Sequence, residues 1–193
     1  VEVINNGIDL QVFCPTESSF RKKYQLEEKF IVLGVAFAWE YRKGLDIFTA
    51  LAKILPQNYK IVLVGVPKDL ANTLPDQILT IPSTNNQTEL AKIYSAADVF
   101  LNPTREDNFP TTHLEALACG TPVITFRTGG SMEMLDDSCG ISVEKEDIHG
   151  IVDALKHCRE TPFSKLCCVK KAERYNMCDK YKEYVQLYEK VGD

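Results

Sequence analysis

The chain is poor in residues that announce a chemistry on their own. It carries one Trp and three His in 193 residues. C-x-x-C does not occur, and no His sits at metal-ligand spacing from a Cys pair, so a metal centre has no sequence support. The seven cysteines (14, 119, 139, 158, 167, 168 and 178) are odd in number and include an adjacent pair, which reads as reduced thiols in a cytosolic protein rather than a disulfide framework. There is no nucleophile elbow and no P-loop lysine motif. No G-x-G-x-x-G follows the first apolar run, which removes the main sign of a nicotinamide-binding domain. No apolar stretch approaches the ~20 residues of a membrane span, and no signal-peptide pattern opens the chain. Positive charge is also short: 22 Lys and Arg against 27 Asp and Glu give a net charge of −5, without the basic excess expected of a nucleic-acid binder. The chain starts at Val1 in a β-like run, Val1–Ile4, without a Met, as a piece of a longer protein would.

What is present is a globular composition, 45% hydrophobic and 25% charged, in a length suited to one domain over residues 1–193. Short Val/Ile/Leu runs alternate with helical patterns. The runs are Phe30–Ala36, Tyr59–Gly65, Ile78–Ile81, Val99–Leu101, Pro122–Thr125 and Gly140–Val143. Helices are expected at Leu45–Leu55, Thr88–Ala97, Thr111–Cys119, Met132–Leu135, Ile148–Arg159 and Ser164–Val191. Continuously apolar strands separated by helices indicate a parallel sheet covered on both faces. The expected fold is therefore α/β, a Rossmann-like doubly wound sheet of about six strands. Ligands on such sheets lie beyond the carboxyl ends of the strands. That singles out loops 37–43, 65–68, 82–87, 102–110 and 126–131.

Two of these loops carry chemistry. In the stretch Asp107 to Ile124, two acids, Asp107 and Glu115, stand eight positions apart, with a loop turning into a helix between them. The first turn of a helix leaves amides free and favours negative charge, so Thr111 and Thr112, with Pro110 near the start, can face a diphosphate. On its own this segment reads first as a helix simply capped by Asn108 or Asp107; the acid at each end and the strand just before it shift the balance towards a ligand. Glu115 can accept two hydrogen bonds from vicinal hydroxyls or be a plain solvated glutamate. In the loop after the first strand, Arg42 and Lys43 stand before Gly44, a pair suited to a phosphate or to a solvated turn. Trp39 beside them can line a pocket or pack. His113, with no nucleophile near, reads as a packing or surface residue rather than a catalytic base.

These segments resemble, in order, the C-terminal, donor-binding half of a GT-B-fold glycosyltransferase of the retaining family 4, the group 1 glycosyltransferases. Val3–Asp9 with Phe13 and Pro15 is similar to that domain's opening "IPNGVD…F.P", and Arg42-Lys43-Gly44 to its "KG" phosphate loop. Tyr94, Ala97-Asp98-Val99 and Asn102-Pro103-Thr104 resemble "Y..AD..v.PS". Asp107 to Glu115 resembles the E-x7-E motif, and Gly120–Ile124 with Gly129, Gly130 and Glu133 resembles "GTPV…GG..E". Three departures stand out. The first acid is Asp107, preceded by Glu106. Pro110 removes one amide from the ligand-facing turn. Phe37 stands where the family commonly carries Arg.

The resemblance implies a glycosyl transfer, with retention, from a nucleotide-activated sugar (UDP-, GDP- or ADP-linked) to an acceptor hydroxyl. Lys43, Arg42 and the Phe109–Thr112 backbone would steady the diphosphate without a metal or other cofactor. Glu115 would hold the ribose, and Asp107 or Glu106 would sit against the donor sugar. Ile81, Pro82, Ser83 and Leu90 would lie near the nucleobase. The acceptor, a glycan or lipid-linked saccharide of surface polysaccharide or lipopolysaccharide synthesis, would bind an N-terminal domain outside this chain, so the fragment alone is expected not to turn over. The full-length protein would be cytoplasmic, peripheral to the inner face of the membrane. The helices around Tyr175–Tyr188 would return towards the N-terminal domain and give the fragment a face for homodimer contact. Two alternatives stand beside this one: a GT-B-fold sugar-nucleotide epimerase, and a nucleotide-binding module without catalysis.

Overall fold

The computed structural model describes residues 2–192. Val1, the first residue of the expected opening β-like run, lies outside them, and residues 2–7 join no strand. Ile8 instead forms an isolated bridge with Asn176, with Ile8 N–H donating to Tyr175 O at 2.8 Å and Met177 N–H to Ile8 O at 3.0 Å.

Six strands form one sheet: β1 (Phe30–Val35), β2 (Tyr59–Val64), β3 (Ile78–Ile81), β4 (Val99–Asn102), β5 (Val123–Phe126) and β6 (Gly140–Val143). Every pairing is parallel, and the spatial order is β3-β2-β1-β4-β5-β6. This is the doubly wound arrangement expected, with its switch point between β1 and β4.

The helices are α1 (Phe20–Lys23), α2 (Leu45–Ile54), α3 (Lys68–Ala71), α4 (Gln87–Ala96), α5 (Thr111–Ala118), α6 (Ile148–Glu160), α7 (Lys165–Glu173) and α8 (Met177–Gly192). The strands' side chains divide by the period of two. Ile31, Leu33, Val62 and Val64 enter a cluster with Tyr94 of α4 and Leu114 and Leu117 of α5. Val32, Ile61 and Leu63 enter another with Phe48 and Leu51 of α2 and Ile151 and Leu155 of α6. The four central strands β1, β2, β4 and β5 are thus buried on both sides, which is why they read as continuous apolar runs.

Two expected helices differ. The stretch Ser164–Val191 is two helices, broken where Ile8 bridges Asn176. The short helix expected at Met132–Leu135 is a 3-10 turn three residues earlier, Gly129–Met132.

Candidate active site

β1 and β4 are neighbours whose connections leave in opposite directions, so a crevice opens beyond their C-terminal ends. After β1 the chain makes a 3-10 turn, Tyr41–Lys43, closed by Lys43 N–H to Glu40 O at 2.9 Å and Gly44 N–H to Tyr41 O at 3.1 Å. Gly44 has φ +74, and a Cβ there would stand 2.6 Å from Pro103 O. Glycine is therefore required both for the left-handed turn and for contact with the loop after β4.

Several bonds stitch the two loops together. Arg105 N–H donates to Arg42 O at 2.9 Å. Arg42 Nη1 and Thr104 Oγ1 each donate to Glu106 O, both at 3.1 Å. Lys43 Nζ meets Asp107 Oδ2 at 2.9 Å. Asn6, Arg42, Glu106, Asp107, Asn108 and Phe109 surround a depression of about 360 Å³. The structure therefore gathers Arg42, Lys43, Glu106, Asp107 and Phe109 as expected from sequence, and adds Asn6 and Asn108.

Behind this depression, Gly129 and Gly130 lie against the backbone of residues 107–108. Gly130 N–H donates to Asp107 O at 3.2 Å, and a Cβ on Gly130 would fall 1.6 Å from Asn108 O. The "GG" segment is thus a close backbone approach that fixes the acidic loop from behind.

α5 begins at the rim of the depression. Pro110 takes the N-cap position, and no side chain caps the helix. The reading of Asp107 or Asn108 as a simple cap is thereby corrected: Pro110 displaces both from the cap position, and the Asp107 carboxylate goes to Lys43. Thr111 is exposed and Thr112 half-buried, so the uncapped first turn opens towards solvent.

One turn further in, Glu115 is half-buried and accepts a hydrogen bond from the Tyr94 hydroxyl at 2.9 Å. The solvated-glutamate reading is thus overturned. Burial pushes the Glu115 carboxyl above its ordinary value of 4.5, and the Tyr94 hydrogen bond acts the other way. Burial, followed by the Glu115 charge, raises the Tyr94 hydroxyl well above 10.0, so it stays a neutral donor. His113 is fully buried, with Nε2 2.9 Å from Asn102 Nδ2, and burial lowers it to about 3. Of the two readings, packing and surface, its burial leaves neutral packing. Its Nδ1 closes no well-formed hydrogen bond, although the Ser131 backbone is near enough to favour the charged ring slightly.

Of the expected nucleobase residues, Ile81 borders a cavity of about 580 Å³ shared with Phe20, Tyr24, Asn85, Asn86 and Thr88. Pro82 and Ser83 are exposed just past β3, next to Ile81 at the edge of that cavity. Leu90 is half-buried and packs one side against the hydrophobic cluster around Tyr94. Trp39 packs as well, its ring edge-on to Phe48 and its Nε1 donating to Val64 O at 3.0 Å.

Sequence reasoning passed over Arg105. Its side chain is 7% exposed and pairs with Asp46 and Glu146. Its hydrogen bond to Asp46 is the main cause holding that carboxyl below 3.8. Both partners are distant in sequence, so only the fold reveals the cluster. Among the described residues no group of His, Cys, Asp or Glu is arranged to hold a metal ion, and no helix is long and apolar enough to cross a membrane.

A Rossmann-like parallel sheet with cations, acids and an uncapped helix start gathered at its switch point defines the class. The chain belongs to the group 1 glycosyl transferases, whose family profile matches residues 27–160. It is 27% identical over 170 residues to a D-inositol 3-phosphate glycosyltransferase of Mycobacteroides abscessus, covering 80% of this chain and 38% of that protein. With a glycosyltransferase of Methanocaldococcus jannaschii the identity is 29%, over 78% of this chain and 40% of the relative. Among solved structures, sucrose-phosphate synthase from Thermosynechococcus elongatus aligns with a TM-score of 0.82 and 26% identity, over 98% of this chain and 52% of that one. Anabaena HepE in complex with UDP shares the fold at TM-score 0.84 and 19% identity, over 98% and 57%. The C-terminal domain of a group 1 family glycosyl transferase from Francisella tularensis aligns at TM-score 0.63 and 23% identity, over 92% and 97%. The fold is that of the C-terminal domain of a GT-B glycosyltransferase, and the chain spans less than half the length of these curated relatives.

Proposed function

We propose that this chain is the donor-binding half of a retaining glycosyltransferase that takes a nucleoside-diphosphate sugar. The observation that carries the reading is Lys43 Nζ 2.9 Å from Asp107, beside Arg42, at the foot of an uncapped α5. A diphosphate needs fixed positive charge and free amides, and this corner of the sheet supplies both. As the sugar leaves for its acceptor, negative charge grows on the diphosphate. Lys43, Arg42 and the Thr111 and Thr112 amides would stabilise it there without a metal. Asp107, held by Lys43, would face the donor sugar, with Glu106 next to it. Glu115, steadied by Tyr94, would accept the ribose hydroxyls.

The HepE complexes with UDP and with UDP-glucose, which share the fold, make UDP the first nucleotide to test. In this reading the acceptor binds a separate N-terminal half, so this chain alone binds nucleotide without turnover. The acceptor class, a surface-polysaccharide or lipopolysaccharide intermediate at the cytoplasmic face of the membrane, rests on the family resemblance alone. Pairing of two copies through the exposed Tyr181, Tyr184 and Tyr188 belongs to the same proposal.

Calorimetric titration with UDP, GDP and ADP tests it. One of the three should bind, and Lys43→Ala should weaken it about 10- to 100-fold, the worth of one or two charge-assisted hydrogen bonds. Binding that ignores Lys43→Ala, or no binding by this chain or by the longer protein, would refute the donor-site reading.

A further inference from the structure

We propose that Arg105 is a positioning residue of the phosphate site: it holds the Tyr41–Lys43 turn so that Arg42 and Lys43 stay aimed at the ligand. Its guanidinium has five N–H donors, and each has its own acceptor. Nε and Nη2 reach the two oxygens of Glu146 at 2.5 and 2.7 Å. Nη1 and Nη2 reach the two oxygens of Asp46 at 2.9 and 2.8 Å. Nη1 also donates to the carbonyl of Tyr41. No donor remains for a ligand, so any influence of Arg105 on binding must pass through the groups it holds.

Those groups surround the cation turn. Arg105 takes the Tyr41 carbonyl with its side chain and the Arg42 carbonyl with its backbone N–H, at 2.9 Å. Its guanidinium lies over the Tyr41 ring, 3.7 Å from the centroid. Asp46, in the first turn of α2, anchors it on the far side. The turn itself is three residues long, has no side-chain cap and runs straight into a left-handed glycine, so its own bonds are few. Glu146 strengthens the case. It is one of two non-glycine residues with positive φ among the described residues, at +67, a conformation that costs energy for a side-chain-bearing residue. The paired carboxylate offsets that cost and ties the loop before α6 to the phosphate turn.

The inference rests on the donor-site reading, and the experiment separates the two. The probes are UDP and uridine, which differ only in the diphosphate, together with amide hydrogen exchange at Lys43 and Gly44. Arg105→Met should weaken UDP about tenfold, leave uridine within about twofold, and speed exchange at Lys43 and Gly44 about tenfold while Val62 in β2 is unmoved. Arg105→Lys should fail to restore UDP affinity, because a point charge cannot reproduce the fork. In the Arg105→Met background, adding Lys43→Ala should cost about tenfold less in UDP affinity than it does in the wild type, since Arg105 acts through the turn that carries Lys43. If Arg105→Met does not fold, Glu146→Gln carries the same test with a loss of about threefold. Equal losses for UDP and uridine, or unchanged exchange at Lys43 and Gly44, would overturn the proposal. If GDP or ADP is the nucleotide that binds, that nucleotide and its nucleoside replace UDP and uridine as probes; a protein that binds none of the three, as this chain or as the longer protein, would sink the donor-site reading instead, while exchange at Lys43 and Gly44 would still decide whether Arg105 holds the turn.

Discussion

β1 and β4 are stapled at both edges of the sheet by arginine, and the two edges are put to different use. At the N-terminal edge Arg21 donates to Ala96 O and Lys29 O, both at 2.8 Å, and to Asp98 Oδ2 at 2.6 Å; the same Asp98 oxygen accepts Ile31 N–H at 2.6 Å. Every partner there is part of the chain's own closure. At the C-terminal edge Arg105 is spent in the same way, but beside it stand Arg42 and Lys43, each with one side-chain hydrogen bond among the described residues, and an α5 start that no side chain caps. In the donor-site reading proposed above, polar groups left with capacity to spare mark the ligand edge, because an internal network satisfies its members while a site keeps some for its ligand.

The largest effect should come from closing the ligand edge from behind. Gly130→Ala would place a methyl 1.6 Å from Asn108 O, and backbone cannot swing aside as a side chain can. The acidic loop must move, at a cost of about 3 kcal/mol or more in chemical denaturation. UDP binding should be lost in the same variant. Binding at wild-type strength would mean the loop's position is immaterial to the site. Next in size is the opposite edge. Asp98→Ala leaves Arg21 and the Ile31 amide without their shared acceptor and should cost about 2 kcal/mol, because one partner of a part-buried charged network is removed. UDP affinity of the folded protein should stay within about twofold of wild type, since no member of that staple reaches the ligand edge. A UDP loss matching that of Lys43→Ala would show that the two edges are not independent.

Much of this comparison was visible in the sequence, for a definite reason. Strands buried on both faces leave runs such as Ile61–Val64 that nothing else explains, and a ligand site on a parallel sheet must follow a strand's end. Arg42, Lys43, Asp107 and Glu115 were therefore found as loop and helix-start residues. What stayed hidden depends on long-range contact. Arg105 looked like one more loop charge because its partners lie 59 and 41 residues away. The break between α7 and α8 was invisible because Ile8, at the far end of the chain, makes it. Helical spacing on α4 does not separate a Leu90 that faces a base from one that only packs on the core, because both give the same period.

The smallest effect concerns Glu115, where fold and function pull in opposite directions. Burial raises its folded pKa above 4.5, so between the ordinary value and the raised one the folded chain holds a proton that the unfolded chain has released. Stability falls as pH rises through that window and is level above it. Glu115→Gln removes the titration, so its denaturation profile should lack this slope. Above the window it should match or exceed wild type. UDP binding should run the other way. In the donor-site reading an ionised carboxylate accepts both ribose hydroxyls more strongly than a protonated one, so wild-type affinity should rise with pH through the same window, and in the Gln variant it should be weaker and flat. Parallel stability profiles for wild type and variant would show that Glu115 titrates alike in both states. Opposed slopes would identify its burial as a cost to the fold that yields a poised acceptor at the ligand edge.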